Sequence, residues 1–301
     1  MFVNGCDCSI VIKTSHLEKD IPYSDETIRE AVSILHEEAS IAGDGVCRGI
    51  RQSCGVAGCV VTPLTIGTAP LLLYLAMGSE GNPLYVSETN NLYQYCLDLL
   101  PMEDCTCFDL IQDRGGERRI FEGCRVKGFE LRILRGETIK LKLDIFGECS
   151  PRVYSFFDTE QCQTSEKPGA VIGGERFNGD FVTYLINGKE YKNIYGLTLL
   201  SKKAGGTKTD ILIKRALKKG GYSANSPDIP DLIEEFTINA QLLRDAYELT
   251  QFGTFRITLK KLVFVSDETE INNADTVIGP LRYYVAGTVN TEVYTTDGGI
   301  P

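Results

Sequence analysis

The sequence predicts a mainly β protein with minor α, built as an antiparallel β-sandwich or barrel with short flanking helices. The clearest evidence is the stretch 120–149, where apolar and charged residues alternate on both sides of Arg135-Gly136-Glu137. Alternation with a period of two is typical of strands that bury one face, and a tight turn between two such strands predicts an antiparallel hairpin. Several alternating segments in the last quarter of the chain support the same class.

A second stretch, residues 190–217, has the same order of features as the first hairpin. An aromatic residue, a glycine and an alternating strand are followed by a basic turn with glycine and a second alternating strand. Residues 126–131 align with residues 194–199 without a gap. The alignment indicates a weak internal repeat, although two similar hairpins also arise by chance in β-rich chains.

Amphipathic and apolar patterns predict three helices. An acidic start and apolar residues at helical spacing predict the first, residues 25–42, and a run that is apolar nearly all round predicts a buried helix at residues 71–77, opened by Thr68-Ala69-Pro70. The third is residues 239–251, with Gly253 beyond its end. Further strands are predicted at residues 59–62, 92–99, 108–113, 153–157, 232–240, 254–265, 278–287 and 289–295.

Length and cysteine distribution set the expected domain organisation. The chain has 301 residues, enough for one large domain or two of ordinary size. All eleven cysteines lie at or before Cys162, so the composition changes near the middle. We therefore expect two domains, residues 1–150 and 151–301. The first residues lack a basic segment and a cleavage site, so we expect no signal peptide and reduced thiols.

The search for catalytic and metal-binding motifs gives no match. The chain has two histidines and no zinc-type spacing, and Cys6-Asp7-Cys8 and Cys105-Thr106-Cys107 fit plain buried thiols better than metal ligands. Residues 205–209 lack the Gly-Lys-Thr order of a phosphate loop, and Asn272 stands where a calcium loop needs glycine. We expect no cofactor, no metal site and no enzymatic activity.

Charge gives a further constraint. The net charge of −10 argues against nucleic acid as a bound partner, because neutralising phosphates requires a basic surface. The basic residues include a cluster that favours a solvated strand edge, with contact to an acidic patch on a neighbouring copy as the alternative. This basic cluster consists of Lys202, Lys203, Lys208, Lys214, Arg215, Lys218 and Lys219.

Two passages resemble the tail tube proteins of long-tailed bacteriophages. Residues 56–64, followed by the apolar residues 71–78, are similar to one motif of that family, and residues 121–126 with 136–141 are similar to another. The resemblance is best over residues 43–147. It implies a β-sandwich with a flanking helix, whose copies pair edge to edge into rings. The rings stack into a tube through which DNA passes, and some members carry a doubled tube domain.

The resemblance therefore implies a structural protein of the virion tail that assembles into trimeric or hexameric rings. Its partners would be itself and other tail proteins, with DNA as passing cargo and no membrane. Acids on the hairpin faces are the candidate lining of the lumen, and the basic cluster would lie on the outer wall or between rings. These candidate acids are Glu130, Glu137 and Asp144.

Two other classes remain open. A carbohydrate- or receptor-binding β-sandwich module of a phage or surface appendage would expose clustered aromatics, whereas this chain has no tryptophan. An enzyme with an unrecognised site has the least support, because no set of acids stands out from the others.

The absence of a disulfide framework is testable. We expect mass spectrometry of freshly purified, alkylated protein to find all eleven cysteines as free thiols. A set of native disulfides would overturn the assignment of reduced thiols.

Overall fold

The computed structural model describes residues 8–15, 17–36, 49–78, 84–87, 92–114, 117–147, 152–155, 176–218, 229–241, 253–267 and 276–295. In this part of the chain there are nineteen strands and one α-helix, α1 (Ala69–Met77). The strands are β1 (Cys8–Lys13), β2 (Glu18–Asp20), β3 (Asp25–Glu26), β4 (Arg29–His36), β5 (Gly49–Pro63), β6 (Leu84–Ser87), β7 (Leu92–Asp98), β8 (Phe108–Arg114), β9 (Glu117–Leu134), β10 (Lys140–Gly147), β11 (Arg152–Ser155), β12 (Val182–Ile186), β13 (Lys189–Glu190), β14 (Ile194–Lys202), β15 (Lys208–Lys218), β16 (Leu232–Gln241), β17 (Gly253–Asp267), β18 (Thr276–Val285) and β19 (Val289–Thr295). The predicted class, mainly β with minor α, is confirmed, and the antiparallel sheet does not close into a barrel.

The strands form a sandwich-like arrangement in which long strands pass from one layer to the next. One layer has the order β4, β5, β10, β9, β14, β15, β18, β17. The second has the order β6, β7, β19, β17, β16, β12, β13. The first part of β9 belongs to a smaller sheet with β8 and β11, while its last part pairs with β10 and β14.

The strand β17 changes layers at Lys261. Its first part lies between β16 and β19; from Leu262 onward, β18 replaces β19 on one edge, while the pairing with β16 on the other edge continues to Val263. Lys261 has a φ of 55°, in the left-handed region that costs a residue with a side chain about 1–2 kcal/mol. The Lys261 carbonyl oxygen accepts a hydrogen bond from the Ala286 N–H at 2.9 Å. The strained residue is therefore held by the turn between β18 and β19.

Both predicted hairpins are present, as β9–β10 and β14–β15. They are also neighbours, because β9 pairs with β14 and Leu131 lies opposite Leu199. Each hairpin has a β-bulge, at Lys127 in the first and at Tyr195 in the second. These two positions, like Leu131 and Leu199, are equivalent in the alignment of residues 126–131 with 194–199. The two hairpins are thus related by a local two-fold axis between Leu131 and Leu199.

The helix α1 is enclosed by the fold. Each of its nine residues is buried, as its uniformly apolar sequence predicts. It contacts β7, β9 and β19. Pro70 occupies its first turn, but the Thr68 side chain does not cap the helix and shares a hydrogen bond with the Thr65 hydroxyl instead. The helix is therefore fixed by packing on all sides.

Two helix predictions need correction. Residues 25–36 form β3 and β4, which pair with β5, so the helix predicted over residues 25–42 is wrong in this part. Apolar residues of β4 come in adjacent pairs, Ala31-Val32 and Ile34-Leu35, so the sequence lacks a period-two alternation and its spacing imitates a helix. Asn239–Gln241, the start of the helix predicted at 239–251, continue β16. Residues 37–42 and 242–251 lie outside the described residues.

The other predicted strands agree with the structure, and β5 is longer than the short strand expected at 59–62. Strand pairs such as β9–β14 and β7–β19 cross position 150. The hydrophobic core does so too, since one cluster contains Leu71, Leu131, Leu199 and Tyr283. The division into domains 1–150 and 151–301 stays a prediction. The strand pairs and the core cluster named above join residues from both parts.

The strained conformation of Lys261 gives a test of the layer change. We expect Lys261→Gly to raise the free energy of unfolding by about 0.5–1 kcal/mol, because glycine adopts positive φ without a steric penalty. Lys140→Gly is the matched control, since Lys140 is also exposed on a strand but lies outside the positive-φ residues. It should destabilise by about 0.5–1 kcal/mol. Urea unfolding measures both variants, and equal losses would contradict the assigned strain.

Candidate functional site

The charged residues singled out from the sequence lie largely on one outer face of the first layer. The buried face of the same strands carries Leu131, Leu141, Leu199 and Ile211. Two rows cross the outer face in register. The first row is Lys142, Glu130, Leu200 and Asp210, and the second is Asp144, Gly128, Lys202 and Lys208. The structure therefore brings the candidate acids and part of the basic cluster together on one surface.

This face is mixed in charge. Arg132 lies 3.8 Å from Glu137, and Lys142 lies 3.5 Å from Asp144. Burial acts to lower the pKa of Lys142, but the Asp144 carboxylate and further negative neighbours outweigh it and raise that pKa. Exposed pairs of this kind contribute about 0–1 kcal/mol each. Their main effect is to cancel charge, so the acids do not form a continuous negative surface.

The shared face bears on the expected separation of the two groups. Glu130 and Lys202 point to the same side of the sheet. One of them therefore cannot line a lumen while the other lies on the outer surface of the tube. Of the other cluster members, Lys214 is half-buried and Arg215 donates a hydrogen bond to Asp267 at 3.0 Å. The Lys218 side chain and Lys219 lie outside the described residues. Which face points into a lumen stays a prediction.

Lys203 departs from the rest of the basic cluster, because its side chain is 0% exposed. Its place follows from the alternation along β14, in which Leu197, Leu199 and Ser201 are buried and Lys202 is exposed. Position 203 continues the buried face by one step. Grouping it with the exposed lysines by charge was wrong, and the period-two pattern was the signal that identifies it as internal.

The ammonium group of Lys203 reaches the carboxyl end of α1. Its Nζ donates hydrogen bonds to the Met77 carbonyl oxygen and to Cys105 Sγ, each at 3.1 Å. The Met77 carbonyl also accepts from the Leu100 N–H at 2.8 Å. A positive charge at a helix carboxyl end is favourable, because the unpaired carbonyls there carry partial negative charge. Lys203 therefore caps a buried helix from a strand far along the chain.

Cys105 contacts this lysine and has further neighbours of its own. We call the group formed by Lys203, Met77, Gly78, Pro101 and Cys105 the Lys203 junction. The Cys105 thiol donates a hydrogen bond to the Pro101 carbonyl oxygen at 3.1 Å. Gly78 has a φ of +92°, and a Cβ atom there would lie 2.6 Å from Cys105 Sγ. Only glycine leaves room for this contact.

Burial controls the electrostatics of the junction. Desolvation lowers the pKa of Lys203, and the neighbouring Cys105 opposes this effect only in part. A buried lysine with a lowered pKa gains access to its neutral, nucleophilic amine form. At the junction, the Lys203 amine and the Cys105 thiol are in direct contact.

The second cysteine of the Cys105-Thr106-Cys107 motif differs in its environment. Cys107 is exposed, and Arg125 donates a hydrogen bond from Nε to its Sγ at 3.0 Å. Arg125 is held in turn by the Glu103 carbonyl oxygen at 2.9 Å. Cys6 lies outside the described residues. Among those described, no group of three or more His, Cys, Asp or Glu side chains is arranged to hold a metal.

A shallow groove of about 500 Å³ lies where β7 ends, β15 begins and β18 turns into β19. Asp98, Asn290 and Thr207 line it, and Tyr284, which is 39% exposed, forms part of its wall. The Asn290 amide donates to the Asp98 carboxylate. The groove combines an aromatic surface with hydroxyl, amide and carboxylate groups.

Comparison with known proteins leaves the chain without an assigned family. No protein-family model and no curated protein matches it. In the part of the chain that the structure describes, no helix is long and apolar enough to cross a membrane.

The lowered pKa of Lys203 has a consequence for stability. Between that lowered pKa and the value of about 10.4 for lysine in an unfolded chain, the unfolded state binds more protons, so stability rises with pH. We expect the wild type to gain stability relative to Lys203→Met when the pH rises from 7 to 10. Lys202→Met, which alters an exposed neighbour, should parallel the wild type. Chemical unfolding at both pH values measures this, and parallel curves for Lys203→Met would contradict it.

Proposed function

We propose that this chain is a structural protein that assembles into stacked rings and forms a tube of the bacteriophage tail-tube type, through which DNA passes. The observation that carries the proposal is a hairpin arm whose outer edges are unpaired among the described residues. The arm consists of β4 and residues 49–55 of β5. The resemblance of residues 43–147 to tail tube proteins and the mainly β fold support the same proposal.

The arm projects past the rest of the first layer. Pairing of β5 with β10 covers only Val56 to Pro63 and stops where β10 ends at Gly147. Residues 49–55 pair only with β4, and β4 pairs only with β5, within the described residues. Both outer edges of the arm therefore offer backbone N–H and C=O groups to another strand. A second copy of the chain is the partner that a ring supplies.

The hydrogen-bond pattern between β4 and β5 determines which backbone N–H groups of β4 point outward. Thr27 N–H donates to the Cys59 carbonyl oxygen at 2.9 Å, and the same register continues into β4. Hydrogen-bonded and non-bonded pairs alternate in an antiparallel ladder. By this alternation, Val32 N–H points away from β5 and is available to a neighbouring strand.

The mixed outer face favours a contact between copies over a channel wall. Its acids would repel DNA, but Lys140, Lys142, Lys202 and Lys208 on the same face would hold phosphates. Opposite charges on one face suit a match with another copy in a ring or a stack. We therefore place both the candidate acids and these lysines away from the lumen, and a map of the assembled tube with this face lining the channel would overturn that placement.

Assembly is the direct test. We expect light scattering and negative-stain imaging of concentrated protein to show rings or tubes. Val32→Pro removes the outward N–H, so it should reduce assembly while the isolated chain keeps its thermal midpoint, because an edge strand tolerates proline where no hydrogen bond is lost. Val32→Thr keeps the N–H and should assemble like the wild type.

The contrary outcomes are distinct. A strictly monomeric wild type at high concentration would contradict the proposal, and the groove beside Tyr284 would then be the feature to titrate with sugars for the carbohydrate-binding alternative. Equal assembly of the proline and threonine variants would remove β4 from the interface.

A further inference from the structure

The Lys203 junction places two side chains in contact that are 98 residues apart in sequence. Lys203 Nζ and Cys105 Sγ are 3.1 Å apart, and the two side chains are 0% and 5% exposed. Nothing in the assembly of a tube uses this pair. A thiol and a primary amine at this distance nevertheless have a chemistry of their own once the sulfur is oxidised.

We propose that Lys203 and Cys105 form an oxidative cross-linking site, at which a peroxide converts the two side chains into a covalent sulfenamide with an S–N bond.

The reaction balances in two steps. In the first, the deprotonated Cys105 sulfur attacks one peroxide oxygen, the O–O bond breaks, and the sulfur becomes a sulfenic acid while the other oxygen leaves as water after taking up the thiol proton. In the second, the neutral Lys203 amine attacks the sulfur, the S–N bond forms, and the S–O bond breaks. The hydroxyl group leaves as a second water with a proton from the amine. The sulfur is oxidised by two electrons and the peroxide is reduced.

Three features of the junction favour this product. The hydrogen bond already directs Nζ at the sulfur, so little movement precedes bond formation. Burial lowers the pKa of Lys203 and so favours the neutral amine that the second step requires. The sulfenic acid would be enclosed, since Cys105 is buried and Gly78 packs its backbone against the sulfur. Competing thiols are thereby kept away.

Cys107 provides an internal contrast. It is exposed, and its nearest nitrogen donor is the Arg125 guanidinium at 3.0 Å. A guanidinium keeps its proton in proteins and is a poor nucleophile. Oxidation of Cys107 should therefore follow the ordinary sequence of sulfur acids without cross-linking to Arg125.

The bond would link the connection between β7 and β8 to the turn between β14 and β15. These segments close over the carboxyl end of α1 from opposite halves of the chain. Because a cross-link between distant residues restricts the unfolded chain, the oxidised protein should have a higher thermal midpoint. A thiol reductant should return it to the starting value.

The experiment treats the full-length protein with hydrogen peroxide and digests it with a protease that does not cut at lysine. We expect a linked pair of peptides, one with Cys105 and one with Lys203, lighter than their sum by about 2 Da for the two lost hydrogens. The product should disappear on reduction. Lys203→Met and Cys105→Ser should abolish both the link and the rise in thermal midpoint, whereas Lys202→Met and Cys107→Ser should retain both.

Three results would overturn the proposal. The first is oxidation of Cys105 to the sulfinic acid with Lys203 unmodified. The second is an equal rise of the thermal midpoint in Lys203→Met. A linked product that is heavier by one oxygen and is still opened by a thiol reductant would indicate an N–O–S bond and overturn the sulfenamide assignment. Intact folding of Lys203→Met, checked by circular dichroism before oxidation, keeps a negative result meaningful. The outcome is independent of whether the chain forms rings.

Discussion

A nine-residue helix that is apolar on every side has to be covered on every side, and the rest of this fold meets that constraint. Fully burying one leucine contributes about 1.5–3 kcal/mol, and α1 contains four, Leu71, Leu72, Leu73 and Leu75. Exposed ion pairs such as Lys142 with Asp144 contribute about 0–1 kcal/mol. Strands from both halves of the chain contact the helix, and Lys203 closes its carboxyl end. Separating the halves would expose the helix, so packing against α1 outweighs the surface charges in holding the chain together.

Local signals explain which parts of the fold could be predicted from the sequence. The hairpins at Arg135-Gly136-Glu137 and Gly205-Gly206 were predictable because strand period and turn chemistry agree there. The helix α1 was predictable because a short run of leucines cannot face water. The strand at Arg29–His36 was not, because its apolar residues come in adjacent pairs and do not alternate with polar ones. The layer change at Lys261 leaves no sequence signal either, since lysine stands where glycine would have indicated positive φ.

Some positions of the candidate functional residues could likewise be predicted from the sequence, and others could not. Charge alone grouped Lys203 with the lysines around it, but position in the strand decides which side of a sheet a residue faces. Lys202 and Lys203 are adjacent in sequence and lie on opposite faces, one in solvent and one against a helix end. The acids Glu130 and Asp144 could be assigned to a charged face from the sequence. That Lys202 and Lys208 share this face depends on the pairing of β9 with β14, which only the tertiary structure reveals.

The local two-fold axis between Leu131 and Leu199 has a consequence for how this sheet responds to change. The two hairpins meet as the protomers of an isologous dimer meet, with each presenting the same surface to the other. Here the two hairpins belong to one chain, so they need not be identical: Glu130 faces Leu200, while the equivalent pair is Arg132 with Thr198. A symmetric dimer cannot acquire such differences, because every substitution appears twice. Because the two hairpins differ in sequence, one carries a plain charged strand while the other extends into Lys203 and closes the end of the helix.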